Sequence, residues 1–340
     1  MRRESRAVRF TAAGIDVRIE TSNGDVPPPL DLLSRAEKST KEFVMLKVTQ
    51  FAVHRARLAV LALLLVSVAL ASTVRESHAQ PGTQVAQITV PVAPNFLGVG
   101  IAVDCNRNLY YTYYLVPTLY KIDKFGTLLA SYPLTEPSGA SVTIGEISWD
   151  DVLGVLWGAT DSETPRRVFK INPNTGVATY QFTMPLDGGI DLVDGLAYDA
   201  SDNSLWISSD VSTDVLHFTT GGTYLGLITP KDAGGSPLGS ISGLSVGLGN
   251  ILYVGRNGFG QIIQVNKTNG NFIASFFSPG GRDEGLECDR NNFSPKTVLW
   301  SKDAYDNTIT AIEIDPLTCS CGGITPTRPS SWGSIKVTYR

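Results

Sequence analysis

One short pattern occurs five times in this chain and restricts the folds open to it. A small residue and an aliphatic are followed two places on by an apolar residue, then by a polar turn and an aliphatic-aromatic pair. It runs from Gly100-Ile101 to Leu109-Tyr110, from Glu146-Ile147 to Leu156-Trp157, from Gly195-Leu196 to Leu205-Trp206, from Gly243-Leu244 to Leu252-Tyr253 and from Gly285-Leu286 to Leu299-Trp300. The aliphatic recurs at steps of 46, 49, 48 and 42 residues. That period fits one four-stranded propeller blade, whereas most helical repeats are shorter and carry a 3.6-residue periodicity absent here.

Each repeat continues with a third strand, lettered c after a and b: Leu119–Ile122, Val168–Ile171, Val215–Phe218, Ile262–Val265 and Ile309–Ile312. In four repeats a turn with Gly126, Gly176, Gly222 or Gly270 leads into a fourth strand, d. Alternation of period two, β-branched and aromatic residues and Gly/Asn/Asp turns make these antiparallel meanders. The expected fold is all-β, a propeller of five four-stranded blades, with six partly degenerate blades as the alternative. An open ring would expose sheet edges. Val85–Val92, placed ahead of the first a strand, reads as the d strand that the last repeat lacks, and Ser334–Tyr339 is the other segment able to fill that role.

Three segments are expected. Residues 1–44 lack a sustained apolar period and read as a disordered or mis-assigned upstream extension; residues 45–79 read as a secretory signal peptide; residues 80–340 form the propeller. The signal rests on Leu58–Ala71, 14 uncharged residues behind Lys47, Arg55 and Arg57 and ahead of Ser77-His78-Ala79, too short for a bilayer span and of signal-peptide length. The mature chain is then secreted, extracellular or periplasmic, with no membrane span, and is expected to be a monomer. From Gln80 onward 16 Lys and Arg stand against 24 Asp and Glu, a net charge of −8, which argues against nucleic acid or an anionic membrane as partner. A small molecule, a saccharide or a protein is the expected ligand. Cys105, Cys288, Cys319 and Cys321 are an even set in a chain bound for an oxidising compartment, and Cys288 with Cys319 or Cys321 would tie the last blade internally.

In a propeller the start of strand a and the b-to-c loop open on one face, at the mouth of the central channel. Just before the repeating aliphatics stand Val99, Asp194, Ser242 and Glu284, with Glu146 offset by one; the b-to-c loops bring Asp161, Asp210, Arg256, Asn257 and Asp303 as a ligand rim. Converging carboxylates repel unless a cation compensates, and Ca²⁺, which accepts six to eight oxygens, is the natural counter-ion. Glu146, Asp194 and Glu284 are the expected metal ligands. Asp104, Asp150, Asp199 and Asp289 open the a-to-b turns on the opposite face, where Asp satisfies turn N–H groups. The strand-b aromatics read as packing between blades.

Gly100–Gly126 resembles an NHL-type propeller repeat, and Val193–Asp210 is similar to blades of SMP-30, gluconolactonase and strictosidine-synthase-like propellers, families that mostly have six blades. The resemblance implies a metal held by Glu, Asn and Asp at the starts of a strands, which Glu284 and Asp194 match while Ser242 departs from the Asn. It implies a metal-dependent lactone or ester hydrolase, with Asp194 or Asp210 as base.

His217, on a c strand, is the one histidine past residue 79, so Ser-His-Asp, Cys-His and His-rich metal chemistry are not expected. The leading reading is a propeller that binds a ligand or a protein on its acidic channel face, possibly with Ca²⁺. The hydrolase is the second reading, and a structural scaffold without a small-molecule site the third.

Overall fold

In the computed structural model the described residues are 6–12, 15–21, 80–94, 97–160, 163–184, 193–315 and 319. The chain divides into Met1–Ser77 and His78–Arg340. In the first unit β1 (Arg6–Ala12) and β2 (Ile15–Thr21) pair antiparallel, with Val8 opposite Ile19 and Phe10 opposite Val17. Both strands fall within residues 1–44, the rest of which lie outside the described residues. Each arm alternates apolar and polar residues, a period-two signal that a search for a longer apolar run passes over. The signal segment, Asp161, Cys321 and the tail Ser334–Tyr339 lie outside the described residues.

The second unit is a five-bladed propeller without helices among its described residues. Strand β3 (Gln84–Thr89) precedes blade 1, which comprises β4 (Ile101–Val103), β5 (Leu109–Tyr113), β6 (Val116–Ile122) and β7 (Leu128–Pro133). Blade 2 is β8 (Glu146–Asp150), β9 (Val155–Ala159), β10 (Arg167–Ile171) and β11 (Ala178–Thr183). Blade 3 is β12 (Gly195–Asp199), β13 (Ser204–Ser208), β14 (Val215–Thr219) and β15 (Tyr224–Ile228). Blade 4 is β16 (Ile241–Val246), β17 (Ile251–Arg256), β18 (Gln261–Asn266) and β19 (Phe272–Phe277). Blade 5 is β20 (Asp283–Asp289), β21 (Thr297–Asp303) and β22 (Thr308–Ile314), and its fourth strand is β3. Thr308 lies opposite Thr89 and Ile309 opposite Ile88, so the start of the propeller completes its last sheet and fastens the ring.

The a strands β4, β8, β12, β16 and β20 pack each against the next around the axis. Five buried clusters fill the five seams between blades. Here the aliphatic-aromatic pair finds its physical reason. Successive strand residues face opposite sides of a sheet, so Leu156 packs into the seam with blade 1 while Trp157 packs into the seam with blade 3. Leu109 and Tyr110, Leu205 and Trp206, Leu252 and Tyr253, and Leu299 and Trp300 repeat the division around the ring. The glycine before the aliphatic in four of the five blades serves close approach: a Cβ on Gly195 would collide with the Ser242 carbonyl, and one on Gly285 with the Val99 carbonyl.

The turn aspartates are buried and bonded to those aromatics. Asp150 Oδ2 accepts the Trp157 indole N–H at 3.0 Å, Asp199 that of Trp206 at 3.2 Å and Asp289 that of Trp300 at 2.8 Å, while Tyr110 donates its hydroxyl to Asp104 at 3.2 Å. Blade 4 carries Gly247 at this step, and its Lys267 instead donates to Asp199 of blade 3 at 2.5 Å. Cys288 is joined to Cys319, with Cα atoms 5.5 Å apart. Cys105 is also disulfide-bonded, and no cysteine is free among the described residues. His217 lies on β14, stacked on Trp206 at 3.8 Å.

Candidate functional site at the channel mouth

Blades 3, 4 and 5 assemble a polar cluster at the channel end of the a strands. Asp194 precedes β12, and its Oδ2 accepts the Asp210 backbone N–H at 2.7 Å. Asp210 follows β13 in the b-to-c loop; its Oδ2 accepts from Asn257 Nδ2 at 3.0 Å and lies 3.6 Å from Arg282 Nη2. Arg282 stands just ahead of β20. Its Nε donates to Glu284 Oε1 at 2.6 Å, its Nη1 to the Tyr305 hydroxyl at 2.6 Å, and its guanidinium lies 4.6 Å from the Tyr305 ring centre.

Burial pushes the Asp194 carboxyl up to about 7, helped by the charges of Asp210 and Glu284. Burial likewise raises Glu284; Asp210 and Asp303 add to the shift, and Arg282 opposes it. Arg282 therefore supplies inside the protein part of the positive charge that converging carboxylates require. Two neighbours extend the electrostatics. Asp283, fully buried and taking hydroxyl bonds from Ser278 at 2.5 Å and Ser301 at 2.6 Å, is raised by burial to about 6. Lys302, also fully buried, donates to the Asp303 carbonyl at 2.6 Å and is lowered by burial to about 8.

Of the expected ligands, Asp194 and Glu284 do come within each other's field. Glu146 is buried at the start of β8, one position beyond theirs, where the other blades carry glycine. Of the expected rim, Asp210 and Asn257 join the cluster directly. Asp303 is occupied in holding loop backbone: its Oδ2 accepts the N–H groups of Gly281 at 2.8 Å and Arg282 at 3.0 Å. Arg256 turns to the Phe259 ring, 3.7 Å from its centre. Asp161 lies outside the described residues.

Sequence reasoning passed over Arg282 and Lys302, since neither belongs to the repeat. A cation next to a candidate ligand carboxylate, as in Arg282-Asp283-Glu284, was the available signal. Among the described residues no group of three or more His, Cys, Asp or Glu side chains is placed to hold a metal ion. Arg282 is seated on Glu284, one of the expected ligands.

The mouth also holds unused hydrogen-bonding capacity. The hydroxyls of Ser209 and Ser242, both fully buried, and Asp210 Oδ1 have no hydrogen-bond partner among the described residues. All three flank the seam of blades 3 and 4, where Ser208 Oγ donates to the Ser242 carbonyl at 2.6 Å.

No protein-family model matches the sequence, and no curated protein matches it. Solved structures do match the fold. A glutaminyl cyclase from Myxococcus xanthus aligns over 70% of this chain and 97% of its own, with 12% identity and a TM-score of 0.51. A gluconolactonase from Xanthomonas campestris aligns over 64% of this chain and 71% of its own, at 14% identity and TM-score 0.43. A streptogramin B lyase covers 68% and 72%, at 15% and 0.39. The described strands form a five-bladed propeller by their own topology. At such identities the likeness is one of fold.

Proposed function

We propose that the protein binds a small polar ligand at the channel mouth formed by blades 3, 4 and 5. The observation that carries this reading is the unused capacity there. Buried polar atoms are rarely left without partners, and Ser209 Oγ, Ser242 Oγ and Asp210 Oδ1 gather beside one ionisable cluster. A ligand rich in hydrogen-bond donors would satisfy them. Disulfides persist in oxidising compartments, which supports the export reading drawn from the apolar run Leu58–Ala71. Among the described residues no helix is long and apolar enough to cross a membrane.

The test is a thermal-shift and calorimetric screen of sugars, lactones, amino compounds and peptides. A ligand present at 100 times its Kd stabilises the fold by about 2.7 kcal/mol. A hit whose affinity falls at least tenfold in both Ser242→Val and Asp210→Asn supports the site. Hits indifferent to both substitutions place binding elsewhere and end the reading.

One observation favours an enzyme as second reading. A general acid or base works best with a pKa near the working pH, and Asp194 is raised to about 7. Glutaminyl cyclase, whose fold the chain shares at 12% identity, supplies a precedent for catalysis on this architecture and no residue role. In a lactone and ester hydrolysis screen, the rate should rise as pH passes 7 if Asp194 is a base, and Asp194→Asn should lower kcat at least a hundredfold. A pH profile unchanged in that variant would remove Asp194 from the chemistry.

A further inference from the structure

Arg167, Arg282 and Lys302 all stand at the mouth end of their blades, and all are committed. Arg167 pairs with Glu136 at 2.6 Å and Glu163 at 2.7 Å, Arg282 pairs with Glu284 and Asp210, and Lys302 is enclosed on the Asp303 carbonyl. Arg256, at the end of β17 in blade 4, differs. No ion pair holds it among the described residues. Its Nη1 reaches Gln261 Oε1 at 3.5 Å, the limit of a hydrogen bond, and its Nε is buried without a partner. The Phe259 ring covers one face of the guanidinium at 3.7 Å. Arg256 feels the charge of Asp232, but Asp232 Oδ1 is taken by the turn N–H groups of Gly234 at 2.8 Å and Ser236 at 2.9 Å. Arginine does not shed its charge in proteins, and a sheltered charge is costly without a partner. Arg256 therefore lacks an anion.

Strand register decides where that anion belongs. Arg256 lies opposite Ile241 of β16, and residues opposite each other on antiparallel strands share one face of the sheet. Ile241 packs into the seam of blades 3 and 4, so Arg256 is directed towards blade 3. The next residue fixes its surroundings: the Asn257 N–H donates to the Ser240 carbonyl at 2.9 Å, while the Asn257 side chain donates to Asp210 Oδ2 at 3.0 Å. Asp210 Oδ1 and the buried Ser209 and Ser242 hydroxyls, all without partners among the described residues, flank the same seam. One seam thus holds an unmatched cation beside an unmatched carboxylate oxygen. A purely cationic ligand would leave Arg256 unanswered. A purely anionic one would bring Asp210, Asp194 and Glu284 no donor.

We propose that the ligand of this mouth is a compact acid with an amino or hydroxyl group beside its carboxylate: the carboxylate pairs with Arg256, and the neighbouring donor bonds Asp210 Oδ1. This rests on the reading of the mouth as a binding site and names the class of molecule it takes. Guanidinium and carboxylate match as planar forks, two N–H groups to two oxygens. Arg256 and Asn257 are consecutive, and Asp210 is bonded to Asn257, so one small molecule can answer both charges.

The probes are L-serine, D-glycerate and glyceramide, the last being the glycerate skeleton without its charge. Arginine Nε–H signals in proton–nitrogen NMR spectra of the full chain read the site. The Arg256 signal is the one lost in Arg256→Gln or, should that variant fail to fold, in Arg256→Lys. Serine, glycerate or both should move it saturably, and glyceramide should not. Arg256→Gln should raise the Kd about ten- to a hundredfold, with Arg256→Lys, which keeps the charge and loses the fork, in between. Asp210→Asn should weaken serine more than glycerate, because an ammonium loses a charged partner and a hydroxyl only a hydrogen bond. An Arg256 signal unmoved by both acids at their solubility limit overturns the proposal, as does glyceramide binding as tightly as glycerate. A ligand that needs Ser242 and Asp210 yet binds Arg256→Gln unchanged overturns it while leaving the mouth as a binding site. An acid that moves Arg256 with the same Kd in Ser242→Val and Asp210→Asn overturns both.

Discussion

At the scale of residues, the propeller resolves into a repeated division of labour that the sequence announces as a spacing. Asp150, Asp199 and Asp289 each cap a turn and hold a tryptophan indole at a buried site, and none of these bonds is visible from composition. Blade 4 tests the rule by breaking it, because Gly247 cannot accept and Lys267 comes from the same blade to a neighbour's carboxylate. Lys267 and Asp199 are 8% and 3% exposed, and the lysine holds the carboxyl below its usual range against the effect of burial. Removing one partner of a buried pair leaves an uncompensated charge and costs about 3–5 kcal/mol. Lys267→Met should therefore destabilise by that order at pH 7, and the double variant with Asp199→Asn should recover part of the loss. Urea unfolding of the three proteins measures both. A loss below about 1 kcal/mol would mean that the Trp206 indole and Ser201, whose N–H and hydroxyl donate to Asp199 Oδ1 at 3.0 and 2.6 Å, suffice for Asp199.

At the scale of elements, strand order and blade count were legible because period-two alternation and the 42–49-residue step are local signals. The closing strand was legible too, since the last repeat lacked a β-rich fourth segment and Gln84–Thr89 supplied one without a blade of its own. The mouth was legible only in part: Asp194, Asp210, Asn257 and Glu284 follow from repeat position, whereas Arg282 reaches Asp210 of blade 3 from blade 5, and no spacing encodes a contact between non-neighbouring strands. The closure makes a sharp prediction. A chain starting at Ala93 loses β3, and with it the fourth strand of blade 5 and the Ile88 and Val90 contribution to the seam with blade 1. Its cooperative melting transition should fall by more than 10 °C relative to a chain starting at Gln80, because edge exposure adds to the lost burial. Equal transitions in the two chains would contradict β3 as the fastening.

At the scale of the whole molecule, the ring draws acidic groups from separate blades to one mouth and must compensate them. Arg282 does so from inside the chain, reaching Glu284 of its own blade, Asp210 of blade 3 and Tyr305 beside it. The guanidinium and an external cation are thus alternatives for one electrostatic role, and removing the first should expose a demand for the second. Arg282→Gln should raise the Glu284 carboxyl further, since the guanidinium that opposes its shift is gone. It should also lower stability by about 1–3 kcal/mol, less than for a fully buried pair because the arginine is about a quarter exposed. Millimolar Ca²⁺ should restore part of that loss in the variant through mass action, while shifting the natural chain little. Differential scanning calorimetry of both proteins, with calcium and with chelator, decides the matter. An equal calcium response in the two would mean that Arg282 does not stand in the cation's place and would return Asp194 and Glu284 to the role of metal ligands. A variant that is destabilised and indifferent to calcium would confine the guanidinium to bridging blades 3 and 5.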